Sequence, residues 1–257
     1  MSQTMKNVKA ITIPQGSVKK ITDSNGNIIW GSYDAFPYRR LEYLYFNGTD
    51  NYVSLGGKAS YSRQDRITAT ILSTTQDAGL CGGYSSTGLW QRYYFPRWNA
   101  AGQFRVALGN GWSSYMTCNM NTKYKFILKT GNSATANCTF ELRNASNDAL
   151  ITTDTWAATQ NTSGTAANNP VLYLGALQNF QQQIALNFIE ANIYEFRRSS
   201  LDGASYVYHY IPCQRKSDGK YGMYNCTTNV FNPLEGTADA SKMGPVLDEY
   251  WDLTDPY

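Results

Sequence analysis

The chain has 257 residues, of which 42% are hydrophobic, 14% aromatic and only 16% charged, with a formal net charge of +3. That length can bury one large core and carry a small appendage. Lys and Arg stand singly or in pairs, which excludes a nucleic-acid track, and no run approaches the roughly 20 apolar residues of a bilayer span.

Residues 1–32 read as a separate small unit. Ile11-Thr12-Ile13 is a short strand stopped by Pro14. Asn25-Gly26 then lies between the apolar runs around Ile21 and Ile28-Ile29-Trp30. This is a hairpin signal, because a type I′ turn needs positive φ at both central residues. The register puts Ile21 opposite Trp30. A lone hairpin is too small to be stable, so Ile21, Asn25, Gly26 and Trp30 are candidate docking residues. Residues 33–40, with Pro37, form a linker.

From Leu41 onward apolar residues recur two apart, the period of a half-buried strand. Ile67, Ala69 and Ile71 share a face, as do Phe104, Val106 and Leu108; Tyr124, Phe126 and Leu128; Cys138, Phe140 and Leu142; and Ile189, Ala191 and Ile193. Val171–Leu174 is continuously apolar and reads as a strand covered on both sides. Many short strands separated by turn signals predict an all-β fold, a two-sheet antiparallel jelly-roll sandwich. Residues 73–101 are expected to form a loop rich in aromatics, 159–170 a polar loop, and 237–257 an acidic, aromatic tail.

Five cysteines make an odd count without CxxC spacing, so neither a zinc site nor a complete disulfide framework is expected. Free thiols and assembly in a reducing cytoplasm are the simpler reading. The N-terminus lacks an apolar h-region, and no secretory signal is expected.

Two ends of the main unit carry a recognisable pattern. Leu41-Glu42-Tyr43 and Tyr52-Val53 open it; Ile193-Tyr194-Glu195-Phe196, Ile211-Pro212, Lys216-Ser217-Asp218-Gly219 and Gly222-Met223-Tyr224-Asn225 close it. Residues 41–236 thereby resemble the concanavalin A-like, laminin-G-type jelly rolls of tailed-bacteriophage structural proteins. The resemblance implies a virion protein, assembled in the host cytoplasm and present in many copies. It also implies contacts with other virion proteins through residues 1–32.

Enzymes share that fold, so catalysis needs a test. A retaining glycosidase requires two carboxylates about 5–5.5 Å apart. Glu190 and Glu195 are an odd number apart and are expected on opposite faces. The single histidine, His209, is in phase with Val207 and Ile211 and reads as a hydrogen-bonded core residue. No G-x-S-x-G elbow supports a hydrolase triad. No cofactor is expected; Asp50, Asp77 and Asp154 offer oxygens for calcium, but without the spacing of a calcium loop.

The remaining chemistry is aromatic. Trp90, Arg92, Tyr93, Arg97, Trp98, Trp112 and Tyr115 form a candidate glycan-binding set, since aromatic rings stack on sugars while guanidinium groups bond hydroxyls. Tyr206, Tyr208 and Tyr210 are expected to share the other face of the His209 strand, packed between the sheets or on a neighbouring loop, with a sugar-stacking platform or a subunit contact as the alternatives. The expected function is a non-enzymatic virion protein whose jelly roll presents a host-glycan-binding or subunit-contact face. A purely structural head or tail adaptor and a glycan-cleaving enzyme are the alternatives.

Overall fold

Apolar residues spaced two apart need a common wall to hide against, and here two antiparallel sheets provide it. The structure, a computed structural model, describes residues 20–22, 28–31, 37–58, 63–75, 77–84, 92–99, 102–109, 111–131, 137–157, 171–179, 184–201 and 206–247. In chain order its strands are β1 (Lys20–Thr22), β2 (Ile28–Gly31), β3 (Tyr38–Arg40), β4 (Leu44–Asn47), β5 (Tyr52–Lys58), β6 (Arg63–Ser73) and β7 (Cys81–Tyr84). Next come β8 (Arg92–Trp98), β9 (Gln103–Leu108), β10 (Gly111–Trp112), β11 (Met116–Thr117), β12 (Lys123–Lys129), β13 (Asn137–Asn144) and β14 (Leu150–Ala157). The series ends with β15 (Val171–Leu174), β16 (Leu177–Asn179), β17 (Ile184–Leu186), β18 (Glu190–Ser200), β19 (Tyr206–Arg215), β20 (Tyr221–Asn225) and β21 (Val230–Glu235). No α-helix occurs among the described residues.

One sheet runs β14-β13-β12-β6-β18. The first half of β18 then pairs with β4 and its second half with β19, which continues to β20 and β21. The other sheet stacks β10 and β11 on β9, then β8, β7, β15 and β5. Strand β21 also pairs with β5, Leu234 opposite Val53, and so joins the two sheets at one edge. The main core lies between them, with Phe46, Ile67, Phe95, Phe104, Phe126, Phe140 and Phe196 almost fully buried.

Each alternating series expected from the sequence lies in this core. The polar turns follow their local chemistry: Gly219 takes φ 70° in the β19–β20 hairpin, where Arg215 clamps Asp218 through Nε and Nη2 at 2.9 and 2.5 Å. β1 and β2 pair with Ile21 opposite Trp30; Asn25 and Gly26 lie outside the described residues. All five cysteines are free, and burial pushes the Cys81 and Cys213 thiols far above their usual range, which leaves them protonated and inert.

Three expectations need correction. The stretch 73–101 is not simply a loop, because β7 and β8 lie within it. Gly82, at φ 137°, lets β7 approach β8 so closely that a Cβ there would meet the Tyr93 carbonyl. The β18–β6 pairing slips between Ile193 and Glu195. That bulge resets the alternation, so Glu190 and Glu195 fall on the same, outer face rather than on opposite faces. On β19 phase placed Tyr208 and Tyr210 correctly but misplaced His209 and Tyr206. Tyr208 and Tyr210 pack on the main core, whereas His209 lies on the outer face, and Tyr206, beyond a second slip at Arg198–Ser199, joins it there.

Inside the sandwich one polar cluster is walled in. Arg198 Nε and Nη2 donate to Asp65 Oδ1 and Oδ2 at 2.6 and 2.8 Å, and the Tyr93 hydroxyl donates to the same carboxylate. Burial opposes the charge of Arg198, but the Asp65 carboxylate outweighs it and holds the guanidinium protonated. Strands β6 and β18 of one sheet are thereby tied to β8 of the other.

Candidate functional site

The outer faces of the two sheets differ in chemistry. On the β6–β18–β19 face the charges satisfy one another. Glu195 accepts from Arg66 at 3.4 Å, from His209 Nε2 at 2.8 Å and from Arg197, while Arg197 also donates to the Tyr206 hydroxyl at 3.1 Å. Farther across, Glu141 bridges Lys129 and Arg143 at 2.5 and 2.7 Å, and Asp148 bridges Lys125 and Arg143 at 2.8 and 3.5 Å. Burial alone would raise the Glu195 pKa. The His209 hydrogen bond and the Arg197 and Arg66 charges outweigh it and pull the value down to about 2.

A depressed carboxylate pKa contributes stability above its unfolded value and loses it as pH falls through the folded one. The Glu195 contribution is therefore complete above about pH 4.5 and is lost on acidification towards about pH 2, amounting to about 3 kcal/mol. Glu195→Gln is expected to lower stability by that order at pH 7 and much less at pH 2. Urea melts at both pH values check this; an equal loss at both would contradict it.

Glu190 and Glu195, although on one face, are about 13–17 Å apart along the strand at roughly 3.3 Å per residue. Glu190 instead accepts from the Tyr45 hydroxyl at 2.8 Å, and Lys242 Nζ lies 3.0 Å from that hydroxyl.

The outer face of the β8–β9–β10 sheet is an aromatic and basic stripe. In β8, Tyr93, Phe95 and Trp98 turn into the core while Tyr94 and Arg97 turn out, with the β8–β9 register slipping between Tyr94 and Arg97. In β9, Phe104 and Val106 turn in and Arg105 turns out. The Arg97 guanidinium lies 5.1 Å from the Tyr94 ring centre, and Tyr94 packs on Trp112 with centroids 5.4 Å apart. Arg105 covers Trp112 at 3.6 Å and lies 4.8 Å from Tyr115. Each such cation–ring contact contributes about 0.5–2 kcal/mol. Trp112 is thus flanked by Tyr94 and Arg105, whereas Tyr115 is 49% exposed and leaves ring surface for a ligand.

This arrangement sorts the residues expected from sequence. Arg97, Trp112 and Tyr115 come together on the stripe. Tyr93 and Trp98, 1% exposed each, are core residues and offer no ring to a sugar; inward alternation in β8 is the physical reason. Arg92 begins β8, but its side chain and the whole of Trp90 lie outside the described residues. Arg105 completes the stripe, and Tyr94, 4% exposed and packed with Ala107 and Leu177, supports Trp112 from beneath; neither was singled out from sequence. The signal for Arg105 was present, since it alternates with Phe104 and Val106.

The three acids considered for calcium have other partners. Asp50 accepts from Asn47 Nδ2 at 2.6 Å and from the Thr237 hydroxyl at 2.7 Å. Asp77 pairs with Arg97, and Asp154 accepts from the Ser114 amide at 2.5 Å. Among the described residues no three His, Cys, Asp or Glu side chains are grouped to hold a metal.

No family model matches the chain, and no curated protein matches it. Among solved structures, a candidate carbohydrate-binding protein of Bacteroides ovatus ATCC 8483 is similar at a TM-score of 0.50 and 15% identity, over 79% of this chain and 61% of that one. A Trypanosoma rangeli sialidase in complex with sialic acid matches at a TM-score of 0.31 and 13% identity, over 64% of this chain and 27% of that one. The chain spans less than two thirds of either structure. The first likeness is one of fold and agrees with an all-β sandwich; the second is too distant to bear on this chain.

Proposed function

We propose that this chain is a non-enzymatic glycan-binding protein, carried in many copies on a tailed-phage particle, with the Trp112–Arg105–Tyr115 stripe as its binding face and the buried Tyr94 as support beneath it. The observation that carries the reading is the open Tyr115 ring held beside the Arg105 guanidinium. An exposed aromatic face next to fixed donors is the chemistry that stacks on a sugar ring and bonds its hydroxyls. The Bacteroides structure lends support at the level of fold. The acids beside the stripe, Asp77 and Asp154, are committed to Arg97 and to the Ser114 amide, which supports binding rather than hydrolysis.

The place on a particle is supported by the motif pattern at both ends of residues 41–236 and by the β1–β2 hairpin, whose unit would dock on other virion proteins. Weak single sites would gain strength from copy number. Tyr115→Ala is expected to weaken glycan binding about tenfold or more, as loss of a stacking anchor does. A glycan array probed with wild-type and variant protein checks this; binding that ignores the substitution removes the stripe from the reading. Absence of the chain from purified virions by mass spectrometry would remove the particle.

One observation favours a subunit contact as a second reading. Strand β14 pairs, among the described residues, only with β13, and it exposes Leu150 and Ile151 at 50% and 49%. An apolar edge of this kind invites strand pairing with a neighbour. Hydrogen-exchange protection of β14 in the assembled particle, compared with the isolated chain, tests it.

A further inference from the structure

We propose that the ligand of the stripe is an acidic glycan, whose sugar carboxylate is bound by Arg105. The inference rests on the binding face proposed above and adds the chemical class of what it takes. Arg97 and Arg105 stand directly opposite one another on β8 and β9. Like charges in that position repel, so a sheet that keeps both must offset them. Asp77 neutralises Arg97. Among the described residues no carboxylate makes an ion pair with Arg105, which is held only by ring faces, Trp112 at 3.6 Å and Tyr115 at 4.8 Å.

On the opposite sheet acids hold most of the outward cations, although Lys123 there rests over the Tyr194 ring at 3.5 Å. There every bridging acid is shared between two or more cations, as Glu195 is between Arg66 and Arg197 and Glu141 between Lys129 and Arg143. Arg105 is thus a cation prepared for an anion that the fold does not supply. Its guanidinium is planar and clamped between aromatic rings, which fixes the direction of its donor edge. A planar fork held in place matches a carboxylate through two parallel hydrogen bonds. The half-exposed Tyr115 ring stands next to that edge, so one sugar can place its ring on Tyr115 and its carboxylate on Arg105.

The test is a glycan array carrying sialylated and uronate-containing glycans, each printed beside its methyl-ester counterpart, with dextran sulfate as a competing polyanion. The full chain, Arg105→Gln, Arg105→Lys and Tyr115→Ala are compared after a thermal melt shows each folded. Expected are binding to free acids at least tenfold above their esters and loss of that preference in Arg105→Gln. Arg105→Lys should recover it partly, and Tyr115→Ala should weaken acids and esters alike. Esters bound as tightly as acids in a Tyr115-dependent way would overturn this inference and leave the binding face standing. Acid binding unchanged by Arg105→Gln, or abolished by dextran sulfate equally in wild type and variant, would also overturn it. If no glycan of either kind depends on Tyr115, the binding face itself falls, and the acid class with it.

Discussion

Asp65→Ala is expected to destabilise the fold by about 3–5 kcal/mol, because it strands a buried guanidinium without its counter-charge. Arg198 is 1% exposed and has no route to water. Its carboxylate partner also accepts from Tyr93, so the same substitution leaves a second buried donor short, at a cost of about 1–3 kcal/mol. These costs overlap and do not add in full. The paired replacement Asp65→Leu with Arg198→Met removes both charges and fills the space with apolar volume. It is expected to recover most of the loss, as buried ion pairs exchanged for packed side chains commonly do. Urea unfolding of the two variants decides the point. If the double variant is no more stable than Asp65→Ala, the cost arises from packing and not from the unpaired charge.

Trp98→Ala is expected to cost about 3–5 kcal/mol of stability, as removal of a buried indole does. Trp98 packs on Phe104 and Phe126 with centroids 5.5 and 6.1 Å apart. Any glycan binding it loses should therefore follow the unfolded fraction and return on cooling or with osmolyte. Tyr115→Ala should behave in the reverse way. As a half-exposed side chain it should move stability by no more than about 0.5 kcal/mol, while binding is lost in a fully folded protein. Thermal melts run beside binding curves separate the two; a Trp98→Ala protein of wild-type stability would refute its core assignment.

The two tryptophans and their tyrosine neighbours show where sequence reading succeeds and where it stops. Period-two series such as Tyr124, Phe126 and Leu128 are legible because burial of one face leaves no other choice of register. The Ile21–Trp30 pairing matches the register expected from Asn25-Gly26, although the ladder slips between Ile21 and Thr22. A bulge leaves no comparable mark. One extra residue at Ile193–Glu195 reverses the parity that separated Glu190 from Glu195, and the slip at Arg198–Ser199 sends Tyr206 outward. Aromatic residues are ambiguous in another way, since a ring suited to a ligand is equally suited to a core. With 73–101 read as a loop, nothing in the sequence separated inward Tyr93 from outward Tyr94.

Strand β21 has a consequence for how the chain reaches this structure. Its partners are β20, a few residues before it, and β5, with Leu234 opposite Val53. Nearby, Asp50 receives the Thr237 amide and hydroxyl across 187 positions of sequence. The seam between the sheets therefore cannot close until the chain has been made past residue 237. Until then β5 and β20 each present an open row of backbone groups, the state in which β proteins pair with the wrong chain. The segment that covers both exposed edges is made after them, so a protein truncated before residue 230 would lose more than β21: it would keep the adhesive intermediate.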